Sequence, residues 1–229
     1  MIILKKSLKQ LPKIKEILSN FNTELLEEIK KDNKEIRMFN FEVRAMEDER
    51  GAYLDGRPVV YEAATDMGWY EETIERGALM DTDLKDVAFL VNHNTDMIPL
   101  ARSRNNNANS TMQLTPDFEG LLTKMYIDVE NNSDARNLYS AVKRGDIDGM
   151  SFMFVVEADR WEDIDTDYPK RFITKIRKIF EVSAVTFPAY EQTSIQARGL
   201  SEALDSAKES LESVRAEARE LDRRRKMVQ

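Results

Sequence analysis

Gly149-Met150-Ser151-Phe152-Met153-Phe154-Val155-Val156 decides how the rest of this chain is read. It carries apolar side chains at successive positions, as a strand covered on both faces does, and alternation puts Ser151 on one face with Met153 and Val155. A serine in such a strand ordinarily satisfies its hydroxyl on backbone. The same placement can also hold a nucleophile on a rigid element rather than a loop.

Working upstream, Ser133 or Asp134 can cap a helix with Leu138, Tyr139 and Val142 on its apolar face. Lys143 and Arg144 sit at its negative end, and Gly145 can take the left-handed stop. Downstream, Phe180-Glu181-Val182-Ser183-Ala184-Val185-Thr186-Phe187 reads as another strand, ended by Pro188-Ala189. Its alternation groups Glu181 with Ser183, Val185 and Phe187. A glutamate in an apolar strand is costly unless a partner takes its charge. That partner is either a histidine that becomes an imidazolium during acyl transfer, or a basic residue among Lys175, Arg177 and Lys178.

The chain has one histidine, His93, at the polar end of the apolar run Val87-Ala88-Phe89-Leu90-Val91-Asn92-His93-Asn94. Cysteine is absent, so a thiol nucleophile is excluded and a zinc site of the usual His/Cys type cannot be assembled. Hydrolytic chemistry near neutral pH would therefore pair His93 with a serine or threonine.

Charge divides the 229 residues in three. Residues 37–198 carry 19 basic and 29 acidic side chains, all the glycines except Gly199 and all the prolines except Pro12, as expected of one turn-rich domain. A formal charge of -8 leaves no basic footprint for nucleic acid, and no apolar run approaches a bilayer span. Residues 1–36 read as an amphipathic helical arm opened by Pro12, with Ile14, Ile17, Leu18, Phe21, Leu25, Leu26 and Ile29 in one stripe. In residues 199–229, Leu200, Leu204, Ala207, Leu211, Val214, Ala218 and Leu221 follow a 4-3 spacing, the seam of a coiled coil or of a helix packed on its own domain.

Between the flanks, Phe39, Phe41 and Val43 alternate with polar residues, and Leu121, Thr123, Met125 and Ile127 follow the turn Thr115 to Gly120, forming a hairpin with Ser110 to Leu114. Glu157 to Lys170 reads as an acidic loop. Its Asp159, Glu162, Asp163, Asp165 and Asp167 lack the glycine and closing glutamate of a calcium loop.

Taken in order, Asn137 to Asp146, Gly149-Met150-Ser151-Phe152 and Phe180 to Ala189 resemble the tailed-bacteriophage prohead maturation proteases, serine peptidases distantly related to herpesvirus assemblin. The resemblance extends upstream through Phe39 to Arg44, Glu75-Arg76-Gly77-Ala78-Leu79 and the strand before His93, covering residues 37–198. It implies an α+β fold, a small bent, mostly antiparallel β-barrel surrounded by helices, with a helical arm at each end. It places the base on His93 and the nucleophile on Ser151. The third member is a histidine in the herpesvirus relatives, and no second histidine exists here, so an acid must orient His93. Glu181 is the choice, with Ser183, Asp146, Asp148 and Asp96 as neighbours that could approach. Oxyanion donors are expected from backbone N–H groups, with Arg102 or Arg104 as a candidate helper and surface pairing with acidic neighbours as the other reading of these two arginines. No cofactor or metal is implied. The implied partners are the phage major capsid protein and the scaffold, or its scaffolding extension, inside the assembling procapsid in the host cytoplasm, together with further copies of the protease itself. Two other readings remain. A hydrolase of another architecture lacks its Gly-x-Ser-x-Gly elbow here, and a catalytically silent assembly protein would use the arms and the β core without chemistry.

Overall fold

A computed structural model describes residues 34–39, 43–186 and 201–227. The N-terminal stripe from Ile14 to Ile29 and the end of the last motif, Phe187-Pro188-Ala189, lie outside the described residues.

One strand, Lys170–Val185, is the spine. In chain order the strands are β1 (Lys34–Phe39), β2 (Val43–Asp48), β3 (Gly51–Val60), β4 (Thr65–Asp66), β5 (Glu71–Ile74), β6 (Ala88–Val91), β7 (Ala101–Arg102), β8 (Met112–Pro116), β9 (Gly120–Tyr126), β10 (Gly149–Glu162) and β11 (Lys170–Val185). Two helices, α1 (Ser133–Arg144) and α2 (Ser201–Met227), complete the described elements. β11 pairs antiparallel with β10 along one side. Its other side is shared by two parallel partners, β5 against Lys170 to Ile173 and β6 against Glu181 to Ala184. β1 covers the outer side of β10, β4 extends β5 and β7 extends β6, giving a seven-stranded sheet. A second sheet has the order β2-β3-β9-β8.

The architecture is thus α+β, as expected, but the barrel is not found: the hydrogen-bonded strands form two open sheets. Register shifts along β10 between Met153 and Asp159 bend the long pair, and the free side of β11 is divided between two short strands. Among the described residues two helices flank the sheets rather than surround them. α1 lies against β2, and α2 packs beside the far end of β10 through Ala207 and Leu211, which join Met67, Tyr70 and Trp161 in a small buried cluster.

Apolar alternation explains most of the elements. Phe152, Phe154, Ile173, Ile176, Ile179 and Val182 from the β10–β11 ladder meet Leu54, Val59, Leu121 and Met125 of the second sheet in the main core. The β8–β9 hairpin forms with the expected turn, where Asp117 Oδ1 accepts from the backbone N–H of Gly120 at 3.0 Å. Helix α1 ends at Gly145 with φ 77°, as read, but its N-cap is Asn132, whose side chain accepts from the N–H groups of Asp134 and Ala135. The acidic loop is shorter than expected. β10 continues to Glu162 and β11 begins at Lys170, because alternation persists beneath the charges through Trp161, Arg171 and Ile173, all buried.

Candidate active site

His93 ends up beside Glu181 because β6 runs parallel to β11 and stops two residues before it. Leu90 is in register with Ser183 and Val91 with Ala184, after which the chain turns sharply: Asn92 and His93 have φ of 51° and 56°. Left-handed backbone is tolerated by asparagine and uncommon for histidine, and such conformations persist where surrounding bonds over-determine them. Here Asn92 supplies those bonds. Its N–H donates to Ala184 O at 2.9 Å, and its side chain accepts from Thr186 N–H at 2.9 Å and donates to Thr186 Oγ1 at 2.9 Å. His93 N–H donates to Ser183 Oγ at 3.1 Å.

With the turn fixed, the His93 ring reaches Glu181, Nδ1 meeting Oε1. The other carboxylate oxygen accepts from the Ser183 hydroxyl at 2.6 Å. Both residues are buried, His93 at 4% exposure and Glu181 at 3%. A carboxylate accepts only, so the contact assigns the proton to Nδ1 and leaves Nε2 as the basic nitrogen. The alternative partners of Glu181 are engaged elsewhere: Lys175 with Glu157 at 2.9 Å and Lys178 with Asp83 at 2.7 Å, while Arg177 is exposed.

Ser151 stands on the rung of Ser183, two from that of Glu181. It is paired across the β10–β11 ladder with Ser183, as Met153 is with Glu181, so Ser151, Ser183 and Glu181 share one face of the sheet. Ser151 is completely buried, and its hydroxyl donates to the backbone carbonyl of Arg37 in β1 at 2.7 Å. Ser151 and the bonded pair His93–Glu181 therefore lie at one end of the β10–β11 ladder. Among the other candidates, Asp146 pairs with Arg144 at 2.6 Å on the surface and Asp96 closes a turn onto Asn94. Arg102 pairs with Asp86 at 2.7 Å, and Arg104 lies 3.7 Å from the same carboxylate. Among the described residues no group of three or more His, Asp and Glu side chains is placed to hold a metal ion.

Two features escaped the reading of the sequence. Asn92 carried a local signal, a left-handed-tolerant residue directly after a strand and before the only histidine. Arg37 carried only a weak one, the alternation Glu35-Ile36-Arg37-Met38, which does not reveal that both charged residues face inward. They do: Glu35, Arg37, Glu72 and Arg171 are all buried and mutually bonded.

Comparison with known proteins places the chain in a family. The profile of the caudovirus prohead serine proteases matches residues 39–207. The chain belongs to that family. Within it, the prohead protease of Enterobacteria phage HK97 is 31% identical over 113 residues, an alignment covering 49% of this chain and 45% of that relative, so the match spans less than half of the curated protein's length. Among solved structures, the bacteriophage T4 capsid assembly protease superposes with a TM-score of 0.40 at 12% identity, covering 68% of this chain and 99% of that one. The prohead protease profile spans His93, Ser151 and Glu181 and stops upstream at residue 39, leaving all but the last residue of β1 outside it.

Proposed function

We propose that this chain is a serine endopeptidase of phage procapsid maturation, with Ser151 as nucleophile, His93 as general base and Glu181 as the acid that orients it. The observation that carries the reading is the buried His93–Glu181 contact, with Glu181 two rungs from Ser151 on the same face of the sheet. Glu181 holds the tautomer in which Nε2 accepts a proton, and its charge stabilises the imidazolium that forms when Ser151 is deprotonated. Ser151 Oγ adds to the scissile carbonyl carbon, and the proton passes to Nε2. His93 then returns it to the leaving amine as the C–N bond breaks; water next attacks the acyl-enzyme, His93 accepts its proton, and that proton passes to Ser151 Oγ as the ester C–O bond breaks. Ser183 bridges the His93 backbone and Glu181, so it positions both without touching substrate. The substrates proposed are the internal scaffold, the scaffold-like extension of the major capsid protein, and the protease itself.

The test is co-expression with the major capsid protein of its own phage, with fragments mapped by mass spectrometry. Wild type should yield defined capsid-protein and self-cleavage fragments. Ser151→Ala should yield none while remaining folded, since loss of one buried hydroxyl costs about 1–3 kcal/mol; His93→Ala should be equally silent. Wild-type fragmentation by a folded Ser151→Ala protein would remove the nucleophile assignment.

A further inference from the structure

The Ser151 hydroxyl is spent on a carbonyl of its own chain, and the residue has no exposed surface, so a peptide cannot reach it in the state described. What stands in the way is β1. It runs antiparallel along β10 from Lys34 opposite Val155 to Phe39 opposite Met150, with Met38 opposite Ser151. Among the described strands β1 pairs with β10 alone, so its departure breaks one ladder and leaves the rest of the described sheet intact. It would also turn the start of β10 into an open edge, the kind of backbone surface to which extended peptides add as a strand.

β1 is held by side chains whose bonds lead away from the site. Arg37 Nη2 donates to Glu72 Oε2 at 2.8 Å, and its guanidinium also contacts Glu35. Arg171 donates to Glu35 at 2.9 and 3.0 Å, to Glu72 at 3.1 Å and to Asp159 at 2.6 Å. Asp159 in turn accepts from Ser210 of α2 at 2.9 Å, and Ser210 accepts from Trp161 Nε1 at 3.0 Å. A continuous set of bonds thus links the C-terminal helix to the strand over the nucleophile.

We propose that β1 is a releasable latch: it occupies the edge of β10 on which the polypeptide substrate is laid out for cleavage, and its withdrawal frees the Ser151 hydroxyl and admits an extended substrate segment in its place. The proposal rests on Ser151 being the nucleophile. No covalent bond is made or broken in the switch, only one strand exchanged for another.

The absence of native cysteine makes a direct test possible. Lys34→Cys with Val155→Cys places two thiols on partners in register across β1 and β10, a spacing that a disulfide can bridge. Reactivity of Ser151 in the full chain is read with a fluorophosphonate probe and intact mass. The oxidised variant should label at least tenfold more slowly than the same protein after dithiothreitol. A control pair in the other sheet, Glu47→Cys with Ala52→Cys, should show no such difference. Arg37→Met in the cysteine-free chain should label several-fold faster than wild type; should it fail to fold, the disulfide comparison decides alone. Equal labelling of oxidised and reduced protein, with the disulfide verified by mass, overturns the latch while leaving the nucleophile in place. Absence of labelling in every form, together with wild-type processing by Ser151→Ala, removes the nucleophile reading and the latch with it.

Discussion

At one end of the β10–β11 ladder Glu181 is buried against a single imidazole and a hydroxyl, whereas towards the other end Glu72 and Glu35 are buried between the guanidinium groups of Arg37 and Arg171. Both places bury carboxylates on the same sheet, yet the second neutralises them with permanent cations and the first with a group that can be neutral or charged. Burial by itself would push the Glu72 carboxyl up, but Arg37 and Arg171 outweigh it and hold its pKa below the ordinary carboxylate value. For Arg37 burial opposes the charge, and Glu72 with Glu35 overcomes it to raise the pKa. Such a cluster is fixed in one charge state near neutrality and suits a structural clasp. The Glu181–His93 pair, a carboxylate set against an imidazole, suits a reaction.

The sharpest way to break this contrast is to make the same carboxylate-to-amide change in the first place and remove a cation in the second. Glu181→Gln should lower capsid-protein processing by about 10²- to 10⁴-fold, less than Ser151→Ala, because the amide keeps a hydrogen bond while favouring the wrong imidazole tautomer. Its stability should change by no more than about 1 kcal/mol. The checks are the cleavage rate of the purified variant and its urea midpoint. Full activity in Glu181→Gln together with a dead Asp148→Asn would show that another acid orients His93.

Arg171→Met should do the reverse. It leaves Glu35 and Glu72 to Arg37 alone and takes the cation from Asp159, and stripping one partner from a buried ion cluster costs about 3–5 kcal/mol. Urea unfolding in the Ser151→Ala background, where self-cleavage cannot confuse the measurement, reads this directly. An unchanged midpoint would mean that the cluster contributes nothing to holding β1 and α2.

What could be read from the sequence follows the same division. Ser151 and Glu181 stand out as polar residues in apolar strands and His93 as the one histidine in a chain without cysteine, but their roles came from the family resemblance. Nothing local revealed that Ser151 would bond to Arg37, because that contact joins residues 114 apart through strand pairing. The ionic cluster was equally hidden: Glu35, Glu72 and Arg171 each lie in stretches where charge ordinarily faces water, and only the sheet order brings them inside. The barrel expectation failed for a related reason. Alternation reports which face of a strand is buried, whereas closure depends on which edges pair, and β11 gives its second edge to two short strands.

The two places should also separate in acid. Since Glu72 has a lower pKa folded than unfolded, the unfolded chain binds more protons in the intervening range, and stability rises with pH there. The contribution is complete above about pH 4.3, the unfolded glutamate value, and is lost as pH falls through the lower folded value. Denaturation midpoints of Ser151→Ala between pH 5 and 3 should therefore fall with acid, and adding Glu72→Gln should flatten that part of the curve. An identical slope with and without Glu72 would assign the acid sensitivity to other carboxylates.

The smallest effect concerns α2, where the regular seam from Leu200 to Leu221 allowed either a coiled coil or a helix packed on its own domain. The described side chains divide that seam. Ala207 and Leu211 are buried against Met67, Tyr70 and Trp161 with Val214 at the margin, whereas Leu221 is 57% exposed. A 4-3 spacing is the same in both halves, so the sequence pattern could not distinguish a residue that meets its own sheet from one that meets solvent. Leu211→Ala should therefore cost about 2–4 kcal/mol, the penalty of a buried leucine truncation. Leu221→Lys should change stability by less than about 0.5 kcal/mol, as surface substitutions do. Both are read from urea midpoints of the Ser151→Ala protein, with sedimentation of the same samples alongside. A loss of self-association in Leu221→Lys at unchanged monomer stability would show that the outer half of the seam pairs with a second copy; unchanged sedimentation confines the helix's packing role to its Ala207–Leu211 half.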